Sequence, residues 1–507
     1  MKNTIKFMIG LLAIGLVSCE PEFENAVTDE GFYDAGDADF SNYVSLGNSL
    51  TAGYADGALY RSGQEDSYPN IMAEQFGFVG GGDFTQPLTS DNLGGLLLGG
   101  QQILGNRLVL SADENGNPFP APLAGTPTTD VTTSATGPFN NMGVPGAKSY
   151  HLVTPGYGSV AGVANGTANP WYARFATSES STVLADAASL NPTFFSLWIG
   201  NNDILGYATS GGSGVDQTGN LDPSTYGGND ITDPNVFAAA YSAQVDALVA
   251  GGAKGVLLNI PDVTSIPYFT TVPTRSIPLD AATAGAVNAQ FALYNGALGQ
   301  LVAGGFISPE EAAIRAINFV EGVNYPIMTD VDLTDVTVIL IGAGLDSETA
   351  ALLGQLRQVK SDDLVVLTAS SVLGTVPDPS NPLGIVGVSI PLTNQFVLTS
   401  TEQDRVATAG AAYNTTIEGL AAANGLGYGD MKSALAEVAA NGAAYNGGLL
   451  TSTYVTGGAF SLDGVHPSPR GYAFTANTII DVINTTYNAS IPKVDIGTYG
   501  TVTLHNN

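Results

Sequence analysis

Cysteine is almost missing from this chain: Cys19 is the only one in 507 residues. No intramolecular disulfide can form, and no second thiol is present for a catalytic or zinc role. Histidine is nearly as scarce, with only His151, His466 and His505, scattered too widely for a transition-metal centre. Basic residues are few as well: fifteen Lys and Arg face 46 Asp and Glu, a net charge of −31. Such a field repels phosphate backbones, which argues against a nucleic-acid partner. Yet charged residues of both signs make up only 12% while hydrophobic residues make up 44%, so the chain can bury a sizeable core.

Lys2 and Lys6 precede an apolar run from Phe7 to Val17, too short for the roughly 20 residues of a spanning helix. It reads as a signal peptide, residues 1–18. The run ends in Leu16-Val17-Ser18-Cys19, which resembles a bacterial lipobox and implies an acylated Cys19; a plain secretory signal is the alternative. Residues 19–40 carry eight acids and no base, the composition of a solvated tether. Together these features imply a lipid-anchored protein of the bacterial cell envelope, attached to the outer membrane.

From residue 41, short apolar runs alternate with helical patterns, the signature of a parallel sheet covered by helices. Tyr43 to Leu46, Phe194 to Ile199 and Gly255 to Ile260 read as buried strands. Residues 235–250, a capped segment from Ser400 to Ala423 and the stretch from Pro469 to Ile483 read as helices. About 80–138 and 206–233 are rich in Gly, Pro, Asn, Thr and Ser and read as long surface loops. The insertion at about 303–395 has structure of its own: a capped helix opening at Ser308-Pro309, and a second with an apolar stripe of Leu352, Leu353 and Leu356. This insertion is expected to border the substrate entrance. Residues 489–507 form a C-terminal tail.

Gly47-Asn48-Ser49-Leu50-Thr51 follows the first strand, which puts Ser49 at the carboxyl edge of the sheet, where open α/β sheets bind ligands. Alone, a serine there could simply cap a helix. Asp463-Gly464-Val465-His466-Pro467 supplies a histidine with an acid three residues before it, the pairing that activates a serine hydroxyl. Of the other two histidines, His505 sits at a fraying terminus and His151 has no acid nearby in sequence, which leaves His466 as the base. Gly200-Asn201-Asn202-Asp203 ends a strand with amides that can meet a developing oxyanion, and Asn141 to Ala147 is a Gly-rich turn whose backbone N–H groups can do the same. Asp113-Glu114-Asn115-Gly116-Asn117 offers oxygen ligands but lacks the spacing of a calcium loop.

These four segments, in this order, resemble the SGNH hydrolases, also called GDSL lipases and esterases. Ser67-Tyr68-Pro69 and Asn259-Ile260-Pro261-Asp262 add to the likeness, which covers most of 41–488 outside the insertions. Asn48 departs from it, since the family has Asp there. The resemblance implies a three-layer α/β/α sandwich on a central parallel, flavodoxin-like sheet. It implies a triad of Ser49, Asp463 and His466, and an oxyanion hole of Ser49, Gly146 (Gly143 as runner-up) and Asn202. It further implies hydrolysis of carboxylic esters with no cofactor and no metal, the substrate being a lipid, a small ester or an acetylated glycan. A binding protein that keeps the fold without activity is the contrasting expectation.

Overall fold

The computed structural model describes residues 32–505, so the leader and Cys19 lie outside the described residues. Five parallel strands form the central sheet: β1 (Tyr43–Gly47), β2 (Asn141–Gly143), β3 (Phe194–Trp198), β4 (Lys254–Leu258) and β5 (Gly427–Gly429). Their spatial order is 2-1-3-4-5. The order reverses between β1 and β3, and in doubly wound sheets that crevice beyond the carboxyl ends is where ligands bind.

Both faces of the sheet are covered, which is why the strands read as apolar runs. Val44, Leu46, Phe195, Leu197 and Leu257 point to one face, packed by α4 (Pro234–Val249) and α6 (Ser400–Asn424). Tyr43, Phe194, Val256 and Leu258 point to the other, packed by α2 (Tyr68–Phe76) and α8 (Pro469–Tyr487). Three further helices bear on the argument: the single turn α1 (Ser49–Ala52), α3 (Asn202–Thr209) and α7 (Met431–Ala440). Their starts are set by capping side chains. Asn48 caps α1, Asp233 caps α4 with Pro234 at N1, and Ser468 caps α8 with Pro469 at N1. The α6 box is Thr399 with Glu402, one residue earlier than Ser400.

The structure revises the sequence reading in several places. The tether ends sooner: Asp34 N–H donates to Ser490 Oγ, Asp37 N–H to the Tyr487 carbonyl, and Phe40 is buried against Phe76 and Phe194. Burial of that ring outweighs the solvation of the acids around it. The 80–138 stretch contains two β-hairpins, Leu96–Leu98 with Gln101–Leu104 and Leu108–Ala112 with Pro118–Pro122. The first turns on Gly99-Gly100, both at positive φ, the primed-turn geometry that a composition-based reading as loop passes over. Asp113 accepts from Asn115 and Asn117 N–H and from the Asn117 amide at the tip of the second, so its oxygens close a turn. Residues Ile277–Val388, including the long helix α5 (Ala281–Ala303), build an apolar cluster separate from the sheet. Within it the second helix stops at Leu353, and Leu356 opens a strand, Leu356–Gln358, paired with Ile327–Thr329.

Candidate active site

Ser49 sits where β1 gives way to α1, and the sequence leaves little choice about that turn. A Cβ on Gly47 would lie 2.4 Å from the Trp198 carbonyl oxygen, so only glycine lets β1 approach β3 there. Asn48 then caps α1 by accepting from Leu50 N–H at 3.0 Å, while its amide donates to Asn201 Oδ1 at 3.2 Å. A carboxylate at position 48 could not make that second bond as a donor. Ser49 is the first helical residue, so its N–H has no partner within the helix.

His466 approaches from the loop before α8. Its Nε2 is 2.9 Å from Ser49 Oγ, and its Nδ1 is 2.8 Å from Asp463 Oδ2. The loop bends at Gly464 (φ +71), which lets Asp463 Oδ1 accept from the backbone N–H of both Val465 and His466 at 2.8 Å. Ser461 Oγ adds a third bond to Oδ1, and Gly57 N–H donates to Oδ2 at 2.9 Å. Burial would raise the Asp463 pKa, but the His466 charge and the bonds from His466 and Val465 outweigh it and hold it down to about 2. The carboxylate is therefore ionised throughout the neutral range and fixes His466 with Nδ1 protonated and Nε2 free to accept from Ser49.

Gly146 leaves β2 at φ +80, exposed, with nothing closer than 3.9 Å to where a Cβ would be. Gly143 is different. It is buried, and a Cβ there would sit 2.3 Å from Ala52 N, so its role is to let β2 pass under α1. Neither the Ser49 nor the Gly146 N–H donates to a backbone carbonyl among the described residues. The Asn202 amide donates one hydrogen to the Ala147 carbonyl at 2.9 Å, and an amide has two to give. Beside it, buried Asp203 accepts from Ser149 N–H at 2.8 Å and from Ser149 Oγ at 2.7 Å. Asn202 and Asp203 thus grip the loop on which Gly146 sits. The remaining histidines stay apart from this cluster. His151 Nδ1 accepts from Lys148 N–H and its ring stacks on Tyr157; burial and Lys148 push its pKa down to about 4. His505 is not frayed, since its N–H donates to the Leu110 carbonyl on the second hairpin.

A tight turn at Ala55 to Ala58 was not foreseen as part of the site. Asp56, at φ +54, accepts from Leu462 N–H at 3.0 Å and from Tyr60 O–H at 2.8 Å, and its own N–H donates to Ser461 Oγ at 2.9 Å. Arg107, from the 80–138 stretch, lies 3.8 Å from its carboxylate and over the Tyr60 ring. Burial pushes the Asp56 carboxyl up despite these bonds. The only local signal was the dipeptide Asp56-Gly57, which says turn and nothing about partners some 400 residues away.

A cavity of about 110 Å³ opens beside Ser49 and His466. Residues 303–395 supply none of its lining and fold largely around their own apolar cluster, but Leu367 from that stretch reaches the loop between Asp463 and His466, where a Cβ on Gly464 would lie 3.0 Å from its Cδ2. Among the described residues no group of three or more His, Cys, Asp or Glu could hold a metal ion. The site is thus built to take a proton from a serine hydroxyl and to meet negative charge on an adjacent carbonyl oxygen. No family model, curated protein or solved structure matches the chain.

Proposed function

We propose that this chain is a serine ester hydrolase of the SGNH type. The observation that carries the reading is the unbroken relay from Asp463 through His466 to Ser49, at distances of 2.8 and 2.9 Å, on the carboxyl edge of the sheet. In the first half-reaction His466 Nε2 takes the Ser49 proton as Oγ attacks the ester carbonyl. The oxyanion is met by the Ser49 and Gly146 N–H groups and the Asn202 amide, and His466 then protonates the departing alkoxide. In the second, His466 deprotonates a water that attacks the acyl-enzyme, releasing the acid and restoring Ser49. Ser49→Ala and His466→Ala should each cut nitrophenyl ester turnover by on the order of 10⁴-fold, with the double variant barely worse, because the members act as a unit. Asp463→Asn should cost less than either. Retention of turnover by Ser49→Ala would show that another nucleophile does the work.

The proposal extends to attachment. Among the described residues no helix is long and apolar enough to cross a membrane. An acylated Cys19 would tie the chain to the bacterial envelope. Residues 34–40 dock at the amino ends of the strands, at the opposite end of the sheet from Ser49. Cys19→Ala should move the protein from the membrane to the soluble fraction; wild type found wholly soluble and without an acyl group refutes the anchor.

A further inference from the structure

We infer that the cavity beside Ser49 is an acyl pocket, and that the substrates of this site are esters of fatty acids of about six carbons. The inference rests on the ester-hydrolase reading above and adds the class of acid. The polar side chains lining the cavity are Ser49, His466, Asn48, Asn201, Asn202 and Thr475, and all but Thr475 belong to the catalytic cluster itself. Every other wall is carbon. Leu450, Val438, Met431 and Trp198 are only 1 to 4% exposed, so the space is cut into the core and is not a patch on the surface. An apolar hollow of this kind stays dry and favours hydrocarbon, whereas a sugar ring would leave its hydroxyls without partners.

One wall comes from a single stripe of α7. Met431, Ala434, Leu435 and Val438 follow the i, i+3, i+4, i+7 spacing that puts four side chains on one face of a helix. Phe460 and Phe474, from the segments flanking His466, line it as well. An apolar cavity of about 150 Å³ takes the six carbons of benzene, so 110 Å³ holds on the order of four to five carbons beyond the ester carbonyl. Acetyl would leave the pocket empty. The acyl half of the ester is assigned to it because that half stays bonded to Ser49 through both half-reactions, while the alcohol must leave between them.

The test is kcat/KM of the mature chain on nitrophenyl acetate, butanoate, octanoate and palmitate, with octyl acetate as the ester that carries its chain on the alcohol. The expected profile rises by about fourfold per methylene, the equivalent of ~0.8 kcal/mol, until the pocket is full between butanoate and octanoate. Palmitate should then fall below octanoate. Ala434→Phe, which fills the cavity from α7, should lower the octanoate-to-acetate ratio by at least tenfold. Leu435→Ala, which enlarges it, should move the optimum to a longer chain, and it serves where the bulkier variant does not fold. A flat or falling acyl profile, or a preference for octyl acetate over nitrophenyl octanoate, overturns the acyl pocket. Hydrolysis that survives Ser49→Ala overturns the ester-hydrolase reading instead, whatever the chain profile.

Discussion

Asn202 offers the sharpest test of whether the cluster around Ser49 is catalytic or merely well packed. Its amide has one hydrogen on the Ala147 carbonyl, 2.9 Å away, and a second that stays available beside Ser49. Asn202→Ala removes both. The lost bond to Ala147 is worth about 1 kcal/mol of stability, and alanine's better helix propensity at the start of α3 recovers several tenths of that. The melting temperature should therefore move by no more than a degree or two. Catalysis should suffer far more, because a donor to the oxyanion strengthens its bond as charge develops in the transition state. On that basis kcat should fall by on the order of 10² to 10³, about 3 to 4 kcal/mol, with KM nearly unchanged. Steady-state kinetics on nitrophenyl octanoate and calorimetric unfolding of the same preparation measure the two sides. A structural role would invert the pattern: a clear drop in melting temperature with near-normal kcat in the folded fraction. That result would remove Asn202 from the oxyanion hole.

Two further perturbations probe what surrounds the triad. Asp56→Asn keeps the left-handed backbone that asparagine tolerates and the acceptor for Leu462 N–H, but it removes the charge beside Arg107. We expect about 1 to 2 kcal/mol less stability and a kcat roughly tenfold lower as the loop carrying Asp463 loosens; lost stability with unchanged kcat would show that Asp56 only holds the fold. Glu402, fully buried in the α6 capping box, has its pKa raised to about 7, by burial above all and also by the charge of Asp332. An acid raised in the fold binds its proton more tightly there, so stability is intact below about pH 4.5 and falls as pH rises through 7. Glu402→Gln should remove that fall, a gain of about 3 kcal/mol at pH 8 and little at pH 4, read by denaturant unfolding at the two pH values. Equal effects at both would refute the titration.

How much of this was legible in the sequence depends on how local each signal is. The strands β1, β3 and β4 announce themselves because both faces are buried, giving unbroken apolar runs. Asp463 and His466 meet through a loop three residues long, so their spacing already contains their geometry. The strand β5 is another matter: two of the three residues of Gly427-Tyr428-Gly429 are glycine, which strands disfavour, and pairing with Val256–Leu258 is what makes it extended. A Cβ at Gly429 would press on Leu258 Cδ2 at 2.4 Å, so the glycine reflects a neighbour that lies far off in the chain. The helix α7 and its stripe were passed over for the same reason, since a stripe in a ten-residue, alanine-rich helix means little until a cavity faces it. Leu356 misled in the opposite sense. Its position suits the apolar stripe of a helix, but the helix stops at Leu353 and Leu356 pairs in a strand.

The turn at Ala55 to Ala58 explains how two ends of a long chain can hold a reaction geometry. Ser49 and His466 are 417 residues apart, and a single hydrogen bond between them would not fix the loop that carries the base. The turn leaves α1 only a few residues after Ser49 and ties the loop in three places: Asp56 Oδ1 with Leu462 N–H, Asp56 N–H with Ser461 Oγ, and Gly57 N–H with Asp463 Oδ2. To reach them Asp56 holds a positive φ, a conformation that costs on the order of 1 kcal/mol and persists only where the surroundings over-determine it. Those surroundings include the 80–138 stretch. Leu108 N–H donates to the Asp56 carbonyl, and Arg107 sits against the Asp56 carboxylate and donates to Thr503 Oγ1. A segment that composition alone assigns to surface loop therefore stands two contacts from the loop of Asp463: Arg107 to Asp56, and Asp56 to that loop. Its hairpins belong to the support of the candidate site, and Ser49 and His466 keep their register because the strained residue that follows α1 in the chain is hydrogen-bonded to the loop that carries His466.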